Sequence, residues 1–138
     1  MLEKAGEKQV VALCQELIRQ RSYSGEEAGV VKILSAYMKE MGFDEVTIDR
    51  YGNLIGCIKG SRPGKKILFD GHIDTVPVTE EKEWTYPPFA AEIHDGKIYG
   101  RGTSDMKGAV AAMTCAAAAF AKDTKKDFAG EIYVAGVV

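Results

Sequence analysis

The chain has 138 residues, of which 46% are hydrophobic and 28% charged, and its formal net charge is −2. This length is enough for one domain with a buried core. The charge balance argues against a nucleic-acid-binding surface, and no apolar run is long enough to cross a membrane. Three cysteines without Cys-x-x-Cys spacing and an N-terminus without a signal-peptide core indicate a reduced, cytoplasmic protein.

Two helices are predicted at the start of the chain. Apolar residues at helical spacing predict an amphipathic helix over about residues 6–20. The pattern Ser24-Gly25-Glu26-Glu27 matches a capping box and predicts that a second helix begins here. Gly42 is the expected end of this helix. Two short strand-like runs then flank the turn Tyr51-Gly52-Asn53.

The second half of the chain alternates strands with one long helix. Ser61-Arg62-Pro63-Gly64 has the composition of a turn, and Lys66–Asp70 is typical of a buried strand. Asp95-Gly96 predicts a β-hairpin turn, and a third helix is expected over about residues 106–121. The nearly continuous apolar run at 131–138 is typical of a strand at the centre of a partly parallel sheet. This order predicts an α/β fold with three layers, α/β/α, around a mixed, partly parallel sheet.

Three polar residues at the ends of these elements are candidates for metal chemistry. His72 and Asp74 lie two apart on an extended segment and therefore face the same side. A metal-bound imidazole usually donates its other N–H to a carboxylate, so Asp74 is suited to orient His72. The alternative is that His72 caps a strand and Asp74 begins a turn. Asp105 precedes the third helix, where it is either a metal ligand or a simple N-cap. His94, beside the hairpin turn, is expected to be exposed and not a ligand.

Other site classes are not supported by the motifs. A dinucleotide fingerprint would need a third glycine after Gly100 and Gly102, and Asp105 occupies that position. The sequence contains neither a Gly-Lys-Ser or Gly-Lys-Thr phosphate loop nor a Gly-x-Ser-x-Gly elbow. Nucleotide binding and serine-hydrolase chemistry are therefore not expected.

Two phrases together resemble the signatures of a known superfamily. Gly71-His72-Ile73-Asp74-Thr75-Val76-Pro77 and the stretch from Tyr99 to Gly108 are similar to those of the zinc-dependent acetylornithine deacetylase, succinyl-diaminopimelate desuccinylase and aminoacylase superfamily. Dipeptidases of metallopeptidase clan MH belong to the same group. The loop from Trp84 to Phe89 and the following hairpin also resemble it. Residues 43–53 are similar to a branch of selenium-metabolism-linked hydrolases.

The resemblance implies a role for each candidate residue. His72 would bind one zinc ion, Asp105 would bridge two, and Asp74 would act in catalysis by orienting His72. Cobalt or manganese would suit these donors equally well. Because two donors are too few for tight dinuclear binding, we expect weak or no metal binding by this chain. The resemblance also implies a cis Asp105–Met106 peptide bond, which we expect to be trans or poorly ordered without metal.

The resemblance further implies that residues 1–138 are the N-terminal part of a zinc-peptidase catalytic domain. The inserted dimerisation or lid domain and the C-terminal part of the catalytic domain would be absent. A complete enzyme of this kind cleaves amide bonds of N-acyl amino acids or short peptides, and this chain alone is expected to be inactive. The alternative is a truncated, inactive chain that acts only as a folding or protein-interaction unit. Open strand edges would then favour self-association.

Overall fold

The structure, a computed structural model, describes residues 4–138 and supports most of the predicted elements. The first predicted helix is confirmed as α1, and the predicted hairpin is confirmed as β4–β5. Within the described residues, no helix has the length and apolar character needed to span a membrane. The elements in chain order are α1 Lys4–Arg19, α2 Ala28–Glu40, β1 Glu45–Ile48, β2 Leu54–Lys59, β3 Arg62–His72, β4 Glu92–His94, β5 Lys97–Tyr99, α3 Gly108–Asp123 and β6 Ala129–Val137.

The main sheet has four strands in the order β1-β2-β6-β3. β6 pairs antiparallel with β2 and parallel with β3. The predicted α/β class with a mixed, partly parallel sheet is therefore confirmed. The apolar C-terminal run lies at the centre of the sheet, as expected, and Val134 at its middle is fully buried.

The helices of the described residues lie on one face of this sheet. A Cβ atom added to Gly136 of β6 would lie 3.2 Å from Leu34 of α2. A Cβ atom on Gly71 of β3, which pairs with Gly136, would lie 3.2 Å from Val110 of α3. Paired residues point to the same face, and α1 packs against both α2 and α3. The described residues thus form two of the three predicted layers.

The predicted C-terminal end of α2 is confirmed, but the predicted capping of its N-terminal end is wrong. Gly42 ends the helix with φ +83°, its N–H bonding to the carbonyl of Lys39, while the N–H of Phe43 bonds to the carbonyl of Met38. This Schellman pattern confirms the predicted stop. The prediction of a capping box at Ser24 is wrong. Helix α2 begins at Ala28 without a side-chain cap, and the hydroxyl of Ser24 donates to Asp74 instead.

β3 differs from its prediction in extent and in burial. Arg62, Pro63 and Gly64 belong to the strand, with an irregularity in pairing before Lys66, so the predicted turn at 61–64 is wrong. The strand over Lys66–Asp70 is confirmed, but its predicted burial is wrong. Within the described residues, β3 is an edge strand that pairs only with β6. Three consecutive apolar side chains are therefore exposed, at 50% for Ile67, 59% for Leu68 and 43% for Phe69. Self-association at this edge stays a prediction.

Asp44 links three parts of the fold. Its carboxylate accepts hydrogen bonds from the backbone N–H of Lys59, at 2.8 Å, and from Nζ of Lys126, at 2.6 Å. Burial favours the neutral acid, but the bonds from Lys126 and Lys59 outweigh it and hold the pKa of Asp44 below its usual value of 3.8. The connection between α3 and β6 is thereby held to the start of β1.

We expect Asp44→Asn to lower the free energy of unfolding near neutral pH by about 0.5–1 kcal/mol, because the ion pair with Lys126 is lost. A carboxylate with a lowered folded-state pKa contributes stability above its unfolded pKa, and this contribution is lost as the pH falls through the folded value. The difference between variant and parent should therefore shrink below about pH 4. Urea denaturation followed by circular dichroism measures it.

Asp95→Asn is the matched control, because the exposed carboxylate of Asp95 has no hydrogen-bond or ion-pair partner among residues 4–138. It should change stability by less than about 0.5 kcal/mol at any of these pH values. A loss in Asp44→Asn that is the same at neutral and acidic pH would contradict the role assigned to this carboxylate.

Candidate metal centre

His72 lies at an edge of the sheet where strand ends meet. β3 and β6 are parallel neighbours, so their carboxyl ends reach the same edge, and His72 is the last residue of β3 and pairs with Val137. Ligand sites of open α/β sheets lie beyond such ends. The sheet therefore brings the imidazole to an edge where it can contact residues of the connections that follow β3 along the chain.

Asp74 holds one nitrogen of the His72 ring. Nδ1 of His72 lies 3.0 Å from Oδ1 of Asp74 and 3.1 Å from its carbonyl oxygen. An N–H on Nδ1 donates to these acceptors and leaves Nε2 directed at other partners. The two side chains lie on the same side of the extended segment and contact each other, as predicted, and their role in holding a metal stays a prediction.

Asp105 faces the other nitrogen of the same ring. Its Oδ1 lies 2.8 Å from Nε2 of His72, and its side chain is 86% exposed. Asp105 is not the N-cap of α3, because Lys107 occupies that position and the helix begins at Gly108. The backbone at 105 and 106 is non-helical, which turns the carboxylate away from the helix axis and toward His72.

The peptide bond between Asp105 and Met106 is cis. The cis bond that the resemblance implies is therefore confirmed, and the expectation for the chain without metal stays a prediction.

The two carboxylates also determine the charge of the imidazole. Burial opposes the protonated form of His72, but the hydrogen bond to Asp105 and the interaction with Asp74 outweigh it and raise the pKa of His72 above 6.5. An imidazole between two carboxylates is a site that favours positive charge. A cation in the same place would experience the same field.

Lys107 fixes the connection that carries Asp105. Its side chain is fully buried, and Nζ donates to the carbonyl oxygens of Leu17 and Gln20, both at 2.8 Å. These carbonyls lie at the C-terminal end of α1, where the helix leaves them without backbone partners. Burial lowers the pKa of Lys107 to about 8. The backbone just after Asp105 is thus attached to the end of α1.

Comparison with known proteins identifies the family of the chain. The profile of peptidase family M20/M25/M40 matches residues 68–138, slightly more than half of the chain, and this range includes all three candidate residues. The chain belongs to peptidase family M20/M25/M40.

Curated relatives of the M20 chain include two bacterial enzymes. Succinyl-diaminopimelate desuccinylase 2 of Ruegeria sp. (strain TM1040) is 42% identical over 127 residues, which cover 91% of this chain and 32% of the relative. Succinyl-diaminopimelate desuccinylase of Pseudoalteromonas atlantica is 41% identical over 114 residues, which cover 81% of this chain and 30% of the relative. The M20 chain therefore spans about a third of the length of these relatives.

Solved structures show the same fold. The M20 family metallo-carboxypeptidase Sso-CP2 from Sulfolobus solfataricus superposes with a TM-score of 0.80 at 22% identity, over 94% of this chain and 30% of the other. Human carnosine dipeptidase 1 gives a TM-score of 0.73 at 20% identity, over 96% of this chain and 32% of the other. The helices and strands of the M20 chain therefore match part of the fold of these two longer proteins.

The donor set of the M20 chain fits part of a metal site. Nε2 of His72 and the carboxylate of Asp105 converge, and the carboxylate of Asp74 contacts the other ring nitrogen. Zinc takes nitrogen and oxygen ligands of this kind but needs about four. Within residues 4–138, no group of three histidine, cysteine, aspartate or glutamate side chains is placed to hold a metal. His94, the other histidine, instead stacks on Tyr86 at 3.9 Å and pairs with Glu92.

Two serines between α1 and α2 support the site, and neither was assigned to it from the sequence. The hydroxyl of Ser24 donates to Oδ2 of Asp74 at 2.5 Å. The buried hydroxyl of Ser22 donates to the carbonyl of Ile73 at 2.7 Å, and its own carbonyl accepts from the N–H of Thr75. Only the spatial proximity of segments 50 residues apart reveals these roles.

We expect Ser22→Ala to lower the free energy of unfolding by about 1–3 kcal/mol, because the buried carbonyl of Ile73 loses its partner. The amide resonances of residues 72–75 should shift as well. Urea denaturation and two-dimensional NMR measure the two effects. The exposed Ser61, whose hydroxyl lies 3.5 Å from Asp127, is the control, and Ser61→Ala should change stability by less than about 0.5 kcal/mol. Equal stability of the two variants would contradict the supporting role of Ser22.

Proposed function

We propose that the M20 chain supplies one half of a dinuclear zinc centre in an amidohydrolase that cleaves N-acyl amino acids or short peptides. The observation that carries the proposal is the line of contacts from Asp74 through His72 to Asp105, with distances of 3.0 and 2.8 Å. The names of the relatives support it, because they include a desuccinylase, a metallo-carboxypeptidase and a dipeptidase.

Each residue has a distinct part in this proposal. His72 would hold one zinc ion through Nε2, and Asp105 would hold zinc through its carboxylate. Asp74 keeps the proton on Nδ1 of His72 and holds the ring plane in place, so it is a positioning residue that acts through the imidazole. When bound, zinc polarises a carbonyl group and activates water.

The remaining donors belong, in this proposal, to polypeptide beyond these 138 residues. The M20 chain then forms the N-terminal part of a catalytic domain, in keeping with the 30–32% of each relative's length that it spans. A cytoplasmic location is proposed with it, since Cys14, Cys57 and Cys115 are free and buried.

Zinc binding tests the proposal directly. Zinc titration of the chain, followed by the imidazole resonances in NMR, should shift the signals of His72 with weak affinity. His72→Ala and Asp105→Asn should each reduce the affinity by at least about tenfold, because each removes one of two donors. His94→Ala is the matched control, since it removes the only other histidine of the sequence and should leave zinc affinity unchanged.

Equal zinc affinity in the parent and in His72→Ala would contradict the proposal. Because the chain provides two donors where zinc needs about four, zinc-loaded chain should not hydrolyse an N-acetyl amino acid above background. Hydrolysis that is lost in His72→Ala would show that the described residues hold a complete catalytic site, which the proposal excludes.

A further inference from the structure

The open edge of the main sheet carries apolar side chains that the metal proposal does not use. Within residues 4–138, β3 pairs on one side only, with β6. Ile67, Leu68 and Phe69 of this strand are all exposed. An edge strand of this kind is a template for pairing with another strand, and natural proteins usually protect such edges. The chemistry of β3 indicates which strand it accepts.

Three residues of β3 direct their backbone polar groups to the open side. The N–H of Ile73, just beyond the strand, donates to the carbonyl of Val137 on β6. Successive residues of a strand direct their N–H and C=O groups to opposite sides. Lys66, Leu68 and Asp70 therefore direct these groups away from β6. Each of the three offers one donor and one acceptor to a further strand.

The exposed apolar side chains of β3 continue into a groove on the helix face of the sheet. Ile67 and Phe69 line this groove together with Met113 and Phe120 of α3, and its volume is about 400 Å³. Phe120 is itself exposed. A strand added at the β3 edge would therefore place its own apolar side chains beside an apolar surface that is already formed.

Opposite charges flank the centre of β3 on the other face. Nζ of Lys66 lies 3.0 Å from the carboxylate of Glu131 on β6, and an ammonium group has three donors. The exposed carboxylate of Asp70 has no hydrogen-bond or ion-pair partner among residues 4–138. Lys66 and Asp70 are equally far from Leu68 along the strand. The strand is therefore self-complementary, because in an antiparallel pair centred on Leu68 each lysine lies opposite the aspartate of the other copy.

We infer that two copies of this chain pair antiparallel through β3 in this register and join their four-stranded sheets into one. Residues 66, 68 and 70, which offer the backbone donors and acceptors, then form hydrogen-bonded pairs. On the helix face, Ile67 lies opposite Phe69 of the second copy. A slip of two residues would place Leu68 opposite Lys66 or Asp70, and a slip of one residue would break the hydrogen-bond pairing. The charges and the backbone thus select the same register.

This pairing is closed, so it produces a dimer and not a filament. A two-fold axis through the Leu68 pair uses the β3 edge of both copies. Within the described residues, the other edge strand is β1, which has four residues. A parallel pair in register would place Lys66 opposite Lys66 and Asp70 opposite Asp70, and like charges at opposite positions are destabilising. The inference goes beyond the proposed metal centre and does not depend on it.

Sedimentation velocity of the metal-free chain tests the inference. Over a range of about 5–500 µM, the mass should rise from the 15.0 kDa of the monomer to twice that value and stop there. The small size of the interface predicts a dissociation constant in the micromolar range. A chain that stays monomeric throughout, as it would if a strand of another polypeptide were needed at this edge, would overturn the inference. Growth beyond the dimer would overturn it as well.

Leu68→Lys places two ammonium groups opposite each other at the centre of the interface. It should raise the dissociation constant at least about tenfold. Ile48→Lys is the matched control, because Ile48 is similarly exposed but lies on β1, and this variant should dimerise like the parent. Circular dichroism should show that both variants are folded. Equal dissociation constants in the two variants would contradict a dimer formed through β3.

Two further variants test the register. Asp70→Lys places a second lysine opposite Lys66 and should weaken the dimer at least about threefold, since two ion pairs are lost. Leu68→Cys should form a disulfide-linked dimer with oxidised glutathione, because paired residues lie about 5.5 Å apart. The parent, whose three cysteines are buried, should not. Unchanged dimerisation in Asp70→Lys, or no disulfide in Leu68→Cys, would overturn the antiparallel register.

Discussion

The buried ammonium group of Lys107 is the interaction on which the rest of the site depends. It donates to two carbonyls at the end of α1 and so attaches the connection before α3 to that helix. A buried charge is costly unless its hydrogen bonds are satisfied, so this arrangement allows little displacement. Ser22, just beyond the same helix, bonds to the carbonyl of Ile73 after β3. The end of α1 therefore positions both segments that carry the candidate metal donors.

The proposed metal centre depends on this common attachment point. His72 comes from a strand and Asp105 from an irregular turn 33 residues later, yet their polar atoms lie 2.8 Å apart. Ser24 and Asp74 continue the line of hydrogen bonds on the other side of the imidazole. Each donor is thus supported by a second residue, which is the arrangement that keeps metal ligands in a fixed orientation. A pocket of about 280 Å³ opens beside them.

The sequence predicted those features that depend on local chemistry. Gly42 ends α2 because few other residues adopt φ +83° without strain, and Asp95-Gly96 forms a hairpin for a similar reason. The spacing of His72 and Asp74 placed both on one side of an extended segment. Features set by distant segments could not be predicted. Ser24 matched a capping pattern but bonds to a residue 50 positions away, and the apolar β3 is exposed because of its place at the edge of the sheet.

The central claim is that Asp74 fixes the proton on Nδ1 of His72 so that Nε2 is the nitrogen that binds metal. Nitrogen-15 NMR of the His72 ring in zinc-loaded chain measures this directly, because protonated and metal-bound ring nitrogens have different chemical shifts. We predict a protonated Nδ1 and a zinc-bound Nε2, and loss of this single tautomer in Asp74→Ala. Zinc on Nδ1, or His72 signals that zinc leaves unchanged, would contradict the account.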